Sequence, residues 1–598
     1  MTPEIRYTIT PHHPEAHLFR VSCTVERPDP SGQIFRLPAW IPGSYMIREF
    51  SRNIVTLSAE AAGRRHSITK IDKNTWRAAP LAAGRSLTVN YDVYAWDLSV
   101  RAAHLDQTHG FFNGTSVFLS VDGQTDRPCL VDIRAPAGAD DWQVATAMTP
   151  ASSLKGGARI GGFGLYRADS YDELVDHPVE MGRFTQAVFK AGGVEHEIVL
   201  TGRHDCDLDR LTADLTKICD WHIRLFGKPA PVERYVFLAT IVGDGYGGLE
   251  HRASTALLAS RKDLPYRGMR GMNKDYRNFL GLCSHEYFHT WNVKRIKPAA
   301  FTPYDYACEN YTRLLWAFEG FTAYYDDLAL VRSGVISAAD YLELLGQTMS
   351  RVLRGSGRLK QSVAESSFDA WTKFYRQDEN APNAIVSYYA KGALVALALD
   401  LQLRTQTGGK RSLDDVMRAL WKRHGKTGIG VAEDGIFAIV EEIASDPSAE
   451  EGRRLAEWLR RAVSGTADLP LARLLRPFGV NCRSDTSAKA PVLGVRMASG
   501  PEAKIASVFD GAAAQAAGLS AGDVLVAFDG LRVAAGDVED MLTRRKAGET
   551  VRVHAFRRDE LMEFDVTLAA PKADTMKLTL QEKPEPSVRT LRKGWLGL

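Results

Sequence analysis

Two histidines one helical turn apart constrain this chain more than any other feature in it. His285-Glu286-Tyr287-Phe288-His289 lies within the largely apolar run 279–291, and on a helix positions i and i+4 fall on the same face. Two imidazoles so placed can hold one zinc ion while Glu286 points at water on that ion. The arrangement needs a helix packed into a core on one side and open to a cleft on the other. Its chemistry is that of a zinc hydrolase. Such sites take three protein ligands and keep the fourth position for water. Two downstream carboxylates are candidates for the third ligand, Glu309 and Glu319, and spacing alone slightly favours Glu309.

At 598 residues the chain exceeds what one hydrophobic core supports, so several domains are expected. Residues 1–167 read as short strands near 5–10, 17–26, 33–40, 86–96 and 116–121, with β-branched and aromatic residues alternating between Pro and Gly signals. This pattern predicts an all-β sandwich or saddle. Over 168–480, strand-like stretches at 197–201 and 234–242 enclose a helical segment at 208–226. One more strand and then long helices follow, among them 277–292, 311–333, 338–354 and 388–405. Residues 488–570 read as a compact mixed domain and 571–598 as a polar, Pro-containing tail. The expected class is multidomain α+β.

The formal charge is only +3 and the basic residues are scattered, which offers nucleic acid no groove. Seven cysteines are dispersed, odd in number and without a CxxC pair, which argues against both a disulfide framework and a cysteine zinc site. No basic-then-apolar leader opens the sequence, and no span approaches about 18 uninterrupted apolar residues. A cytoplasmic enzyme with no membrane partner is the expectation.

Leu315-Trp316-Ala317-Phe318-Glu319-Gly320-Phe321-Thr322-Ala323-Tyr324 resembles the segment that supplies the glutamate ligand in gluzincin metallopeptidases such as aminopeptidase N. The resemblance selects Glu319 and leaves Glu309 a structural or supporting role. The 29 residues between His289 and Glu319 are more than those relatives have, so the segment 293–306 is expected to depart from theirs. Gly247-Gly248-Leu249-Glu250-His251 looks like the exopeptidase segment of the same enzymes, in which a glutamate binds the substrate's amino group. A carboxylate in a partly desolvated cleft pairs with an ammonium far better than a water-exposed one does. Tyr388-Tyr389-Ala390-Lys391-Gly392 resembles the family's Tyr-x-Lys-Gly motif, and the Lys-Gly selects Tyr389 over Tyr388 as the phenol that steadies the developing oxyanion.

Three further matches narrow the resemblance: the histidine segment continued through Thr290-Trp291-Asn292-Val293-Lys294-Arg295-Ile296, the early Trp40-Ile41-Pro42-Gly43-Ser44-Tyr45-Met46-Ile47-Arg48-Glu49-Phe50, and a terminal PDZ-like module. Together they resemble the PDZ-carrying glycyl aminopeptidase family of gluzincins over nearly the whole chain. The resemblance implies an N-terminal β domain, a thermolysin-like, mostly helical zinc peptidase domain and a C-terminal PDZ domain. It implies one Zn2+ per chain on His285, His289 and Glu319, with Glu286 and Tyr389 as catalytic groups. Peptides with a free N-terminus would be held by Glu250 with Gly247 and Gly248, and small N-terminal residues, Gly and Ala, would be removed.

In the terminal module, Leu493-Gly494-Val495 resembles a carboxylate-binding loop and Ala516-Ala517-Gly518-Leu519-Ser520-Ala521-Gly522-Asp523 the signature of bacterial PDZ domains. Such domains add an extended C-terminal peptide to a sheet edge. Leu596-Gly597-Leu598 has the apolar spacing these grooves accept, so the chain's own end is one candidate occupant. Two other readings are a PDZ-guided zinc endopeptidase acting on protein substrates and a non-catalytic peptide-binding scaffold. The intact Glu286 argues against the scaffold.

Overall fold

The computed structural model describes residues 4–445, 448–534 and 536–597. It divides into two compact units, one of Met1–Tyr311, Arg332–Ile336 and Leu420–Val431, the other of Thr312–Val331, Ser337–Ala419 and Ala432–Leu598.

The first unit begins with β structure. Strand Ile5–His13 pairs antiparallel with Leu18–Val25 and parallel with Cys129–Ile133, within an eight-stranded sheet. Alternation in the sequence becomes alternation of burial: Phe19, Val21, Cys23 and Val25 are fully buried, whereas the residues between them are more exposed. Two four-stranded sheets accompany it, one of them holding Ala103–Leu105, His109–Phe112 and Val179–Gly182. Because Val179–Gly182 pairs with His109–Phe112, β pairing continues past residue 167.

The expected strand at 116–121 is instead a helical turn, Gly114–Val117, followed by the short strand Ser120–Val121. The hydroxyls of Tyr91, Tyr171 and Tyr7 donate to the carbonyls of Val117, Phe118 and Leu119 at 2.8, 2.7 and 2.7 Å. Those carbonyls are satisfied by side chains, so the segment has less need of a ladder.

A five-stranded sheet follows, in the order Phe184–Ala191, Val194–Thr201, Arg234–Val242, Ser254–Ser260, Tyr246–Glu250. The central three strands run parallel, and Tyr246–Glu250 is an antiparallel edge strand. Helix Leu208–Phe226 starts at Asp207, whose side chain accepts from the Arg210 amide, and buries Leu211, Leu215, Ile218, Cys219 and His222 along one stripe.

In the second unit, helix Ala390–Gln406 is buried almost throughout, the mark of a central helix. Helix Ala338–Arg354 opens on a capping box of Ser337 and Asp340 and is amphipathic. Strands in the order Val495–Met497, Ala503–Val508, Val524–Phe528, Thr550–Arg557 and Glu560–Thr567 form a sheet over a core that includes Leu493, Ile505, Leu525, Val553 and Val566.

The stretch 571–598 contains regular structure where the sequence suggests a polar tail. Thr575–Leu580 pairs antiparallel with Val480–Asp485, and Pro586–Leu596 is a helix. Its Trp595 is fully buried, with Nε1 donating to the Tyr324 hydroxyl at 3.1 Å. Leu596 is fully buried as well, so it is not available to a PDZ groove as the self-occupancy idea requires. Leu598 lies outside the described residues. Among the described residues no helix is long and apolar enough to cross a membrane.

Candidate active site

The histidine motif sits on helix Lys274–Phe288, with His289 as its C-cap. The helix begins earlier than the apolar pattern suggests because the Asn273 side chain accepts from the Tyr276 amide. It ends earlier because Val293 takes a left-handed φ of 104°, and the intervening turn is closed by Asn292 N donating to Phe288 O. Buried polar contacts fix the helix against its neighbours: His222 Nε2 lies 2.9 Å from Ser284 Oγ, and His196 Nε2 lies 2.9 Å from the Tyr287 hydroxyl. Burial pushes His222 down to about 3 and His196 to about 4, so both are neutral packing groups at pH 7.

The rings of His285 and His289 meet edge to face with centroids 4.8 Å apart. His289 Nδ1 lies 2.7 Å from the Asn292 carbonyl oxygen. Since a carbonyl only accepts, Nδ1 carries the proton and Nε2 presents its lone pair, the tautomer a metal-binding imidazole needs. The donor set in this unit therefore fits a zinc ion.

The edge strand Tyr246–Glu250 brings the second motif onto this helix. Ligand atoms of Glu250, Glu286 and His289 all lie within 4.8 Å of one another, and all three residues are buried. Glycines make this approach possible. A methyl on Gly248 would lie 2.0 Å from Glu286 Oε1, and one on Gly43 would lie 2.4 Å from Glu250 Oε2. Gly247 faces Arg101, whose Nη1 would be 3.6 Å from such a methyl. The early Trp40-Ile41-Pro42-Gly43 segment thus backs the carboxylate of Glu250.

Segment 293–306 lies against the same early segment. Trp40 Nε1 donates to the Asp305 carbonyl at 2.8 Å, the Ala39 amide donates to the Tyr306 carbonyl at 2.8 Å, and Phe301 stacks on Tyr45.

A buried charge network escaped the sequence reading. Asp176 lies 2.8 Å from Lys294 Nζ, 2.9 Å from Arg252 Nε and 3.0 Å from His251 Nδ1. Arg252 also reaches Asp172 at 2.7 Å, and the Tyr306 hydroxyl donates to Asp172 at 2.6 Å. Burial alone would raise the Asp176 carboxyl, but Lys294 and Arg252 outweigh it and hold the group well below the usual carboxylate range. The network ties the end of the edge strand to the turn after the histidine helix. Its only sequence signal is Lys294-Arg295, two cations immediately after an apolar run.

Glu319 and Tyr389 belong to the second unit. Glu319 caps the short helix Leu315–Phe318, leads into Gly320–Arg332 and is 1% exposed. A methyl on Gly320 would lie 2.6 Å from Gly392 Cα, and one on Gly392 would lie 2.6 Å from the Trp316 carbonyl. The Glu-Gly and Lys-Gly motifs are therefore two sides of one close helix crossing. Tyr388 is fully buried, and burial, with Tyr375 and Glu319, lifts its phenol well above the usual range. Tyr389 is only half-buried, stacks on Phe374 and lies 3.2 Å from the Tyr375 hydroxyl. Of the two, Tyr389 is the reachable phenol. Glu309 is half-buried and stands in no group of metal-ligating side chains among the described residues. In the C-terminal sheet domain, Leu493 is buried and Gly494 has a φ of 78°.

Three family profiles match the sequence: the Peptidase M61 N-terminal domain over residues 6–183, the M61 glycyl aminopeptidase over 278–395 and the PDZ domain over 491–568. Among solved structures the chain is similar to an aminopeptidase N family protein from Idiomarina loihiensis, at 46% identity over 99% of this chain and 100% of that one, with a TM-score of 0.93. A weaker likeness, at 14% identity and a TM-score of 0.48 over 78% of this chain and 95% of the other, is to an M1 zinc metallopeptidase from Deinococcus radiodurans. Comparison with curated proteins finds no match.

Proposed function

We propose that this chain, which belongs to the PDZ-carrying glycyl aminopeptidase family of gluzincin metallopeptidases and is a metallo-aminopeptidase, anchors a peptide's free ammonium on Glu250 and cleaves the bond that follows. The observation that carries this reading is the meeting of Glu250, Glu286 and His289 within 4.8 Å. With the ammonium held so close to the general base, only the first carbonyl of the substrate reaches the reacting position.

His285, His289 and Glu319 are the proposed ligands of one zinc ion. Support comes from the His289 tautomer, from the burial of Glu319 and from the single profile that spans all three residues. When bound, zinc supplies Lewis acidity to the scissile carbonyl and lowers the pKa of the attacking water. Glu286 takes the proton from that water and delivers it to the leaving amine. Tyr389 donates its phenol hydrogen to the carbonyl oxygen as charge develops there, which lowers the barrier more than it tightens binding. N-terminal Gly and Ala are the proposed preferred residues, a reading supported by the glycyl aminopeptidase profile. The loop Leu493-Gly494-Val495 is proposed to receive the carboxylate of a C-terminal peptide. The left-handed turn at Gly494, where a methyl would lie 2.2 Å from Ala512 Cβ, is consistent with a tight backbone cradle.

The test compares a glycyl chromogenic amide with its N-acetylated form. Loss of one charge-assisted contact, worth about 1.5–3 kcal/mol, should lower kcat/KM at least about tenfold for the blocked substrate. Equal or better cleavage of the blocked amide would replace this reading with that of an endopeptidase.

A further inference from the structure

Away from the active site, the N-terminal β domain holds a second cluster of metal-binding side chains. His104 lies in strand Ala103–Leu105 and His109 opens strand His109–Phe112; the two strands pair antiparallel across a turn that contains Asp106. One ligand atom from each of His104, Asp106 and His109 lies within 4.8 Å of the other two. The histidines are 5% and 7% exposed, and their rings stack with centroids 4.9 Å apart.

Each donor is prepared for a cation in a different way. His109 Nδ1 lies 3.0 Å from Glu180 Oε1, and Glu180 is itself 2% exposed. A carboxylate on one imidazole nitrogen orients the ring and makes the other nitrogen a better ligand, as in carboxylate–histidine–metal triads. Asp106 Oδ1 accepts from the Thr108 amide and hydroxyl, each at 2.6 Å, and from the His109 amide at 3.1 Å. These bonds fix the carboxylate through Oδ1. His104 lies between Trp96 and His109, and its buried Nδ1 has no hydrogen-bond partner. An unsatisfied ring nitrogen at that depth costs free energy unless something binds it. Both histidines also line a small cavity of about 10 Å3, room for one ion or one water.

We propose that His104, Asp106 and His109 form a second metal site, structural in role, that takes a first-row divalent cation of the zinc class, with Glu180 holding the ring of His109. Two imidazoles and one carboxylate suit zinc, cobalt or nickel better than the hard cations calcium and magnesium. The site would lock the hairpin to the loop 97–102, which is tethered to it by Asp97 N donating to Ala103 O at 3.0 Å and by Asn113 Nδ2 donating to Val100 O at 2.8 Å. That loop carries Arg101 to the edge strand at Gly247. The chain would then hold two metal ions, only one of them at the histidine helix.

The test counts metal in the full-length protein, loaded with Zn2+, freed of loosely bound ions by a weak chelator and analysed by mass spectrometry. Two ions per chain are expected in the wild type and in Glu286→Gln, and one in the His104→Gln/His109→Gln double variant, with turnover of the double variant within about twofold of wild type. The His285→Ala/His289→Ala variant should keep one ion, and X-ray absorption at that ion should show imidazole and carboxylate oxygen ligation. Asp106→Asn keeps an acceptor oxygen for the turn and should weaken the hairpin ion at least about tenfold, which decides the question even if the double histidine variant fails to fold. A single ion in the wild type would overturn the proposal, as would undiminished metal content in either hairpin variant. Neither result touches the reading of the active site, which fails instead if Glu286→Gln remains active.

Discussion

Replacing Gly248 with alanine isolates the contact between the edge strand and the histidine helix. The φ of Gly248 is not left-handed, so the backbone tolerates the substitution, and the obstacle is space alone. The new methyl would meet Glu286 Oε1 at 2.0 Å, Cδ at 2.6 Å and Cγ at 2.8 Å. Reaching an ordinary contact of 3.4 Å from 2.0 Å takes a displacement of about 1.4 Å. Glu286 is 5% exposed, and its helix neighbours Cys283 and Tyr287 are almost fully buried, so the carboxylate gives way before the helix does. A misplacement of about 1 Å can cost about 100-fold in rate, or about 2.7 kcal/mol of barrier. Overpacking should cost about 1–3 kcal/mol of stability as well. The assay is kcat and KM on a glycyl chromogenic amide, together with zinc content and Tm of the same preparation. The expected variant is folded and zinc-replete, with kcat about 100-fold down and KM changed far less. A kcat within about twofold of wild type would refute the claim that this glycine sets the position of the general base.

Glu286→Gln should lower kcat by about 100-fold or more with metal content unchanged, measured by turnover and metal analysis together. Glu250→Ala should raise KM at least about tenfold for free-amine substrates while leaving the slow cleavage of N-acetylated ones unaltered. Gly43→Ala, whose methyl would lie 2.4 Å from Glu250 Oε2 at a φ of 92°, should shift the same KM in the same direction with the charge still present. Asp176→Asn should cost roughly 3–5 kcal/mol near pH 7, because it removes the charge paired with the buried Lys294 and leaves Arg252 only its contact to Asp172. The folded Asp176 carboxyl is depressed, so its stabilisation is present above the unfolded value of about 3.9 and is lost as pH falls through the lower folded value. Urea denaturation should therefore show the gap between variant and wild type narrowing below about pH 4, and a gap as wide at pH 3 as at pH 7 would contradict this account.

How much was legible in the sequence depends on the range of the interaction concerned. His285, Glu286 and His289 declare themselves because their geometry is set by one helical turn, and 338–354 reads as a helix at its observed bounds because its amphipathic stripe and its cap are both local. Glu250 needed family resemblance, since a Gly-Gly-x-Glu is by itself an ordinary turn; only the folded sheet places it beside Glu286. The network of Asp176, Arg252 and Lys294 was not legible beyond the two cations Lys294-Arg295 that follow the apolar run. Asp176 and Arg252 stand 76 positions apart, and each alone looks like a surface charge. Gly320 and Gly392 were read as parts of two motifs, whereas the crossing that requires both exists only in three dimensions.

The 29-residue gap between His289 and Glu319 gains a physical reason from the same long-range contacts. Lys294 and Arg295 turn inward at its start, where Lys294 meets Asp176 and Arg295 donates to the Arg252 and Thr290 carbonyls at 2.8 Å. Phe301, Tyr304 and Tyr306 then pack on Trp40, and the Asp305 carbonyl accepts from its indole. Trp40 lies three residues before Gly43, the glycine pressed against Glu250. This connection both enters the charge network and covers the early segment. The added residues therefore join the turn after the histidine helix to the backing of Glu250. They give the carboxylate a desolvated wall, and desolvation is the condition under which a single charge pair can fix the register of a substrate.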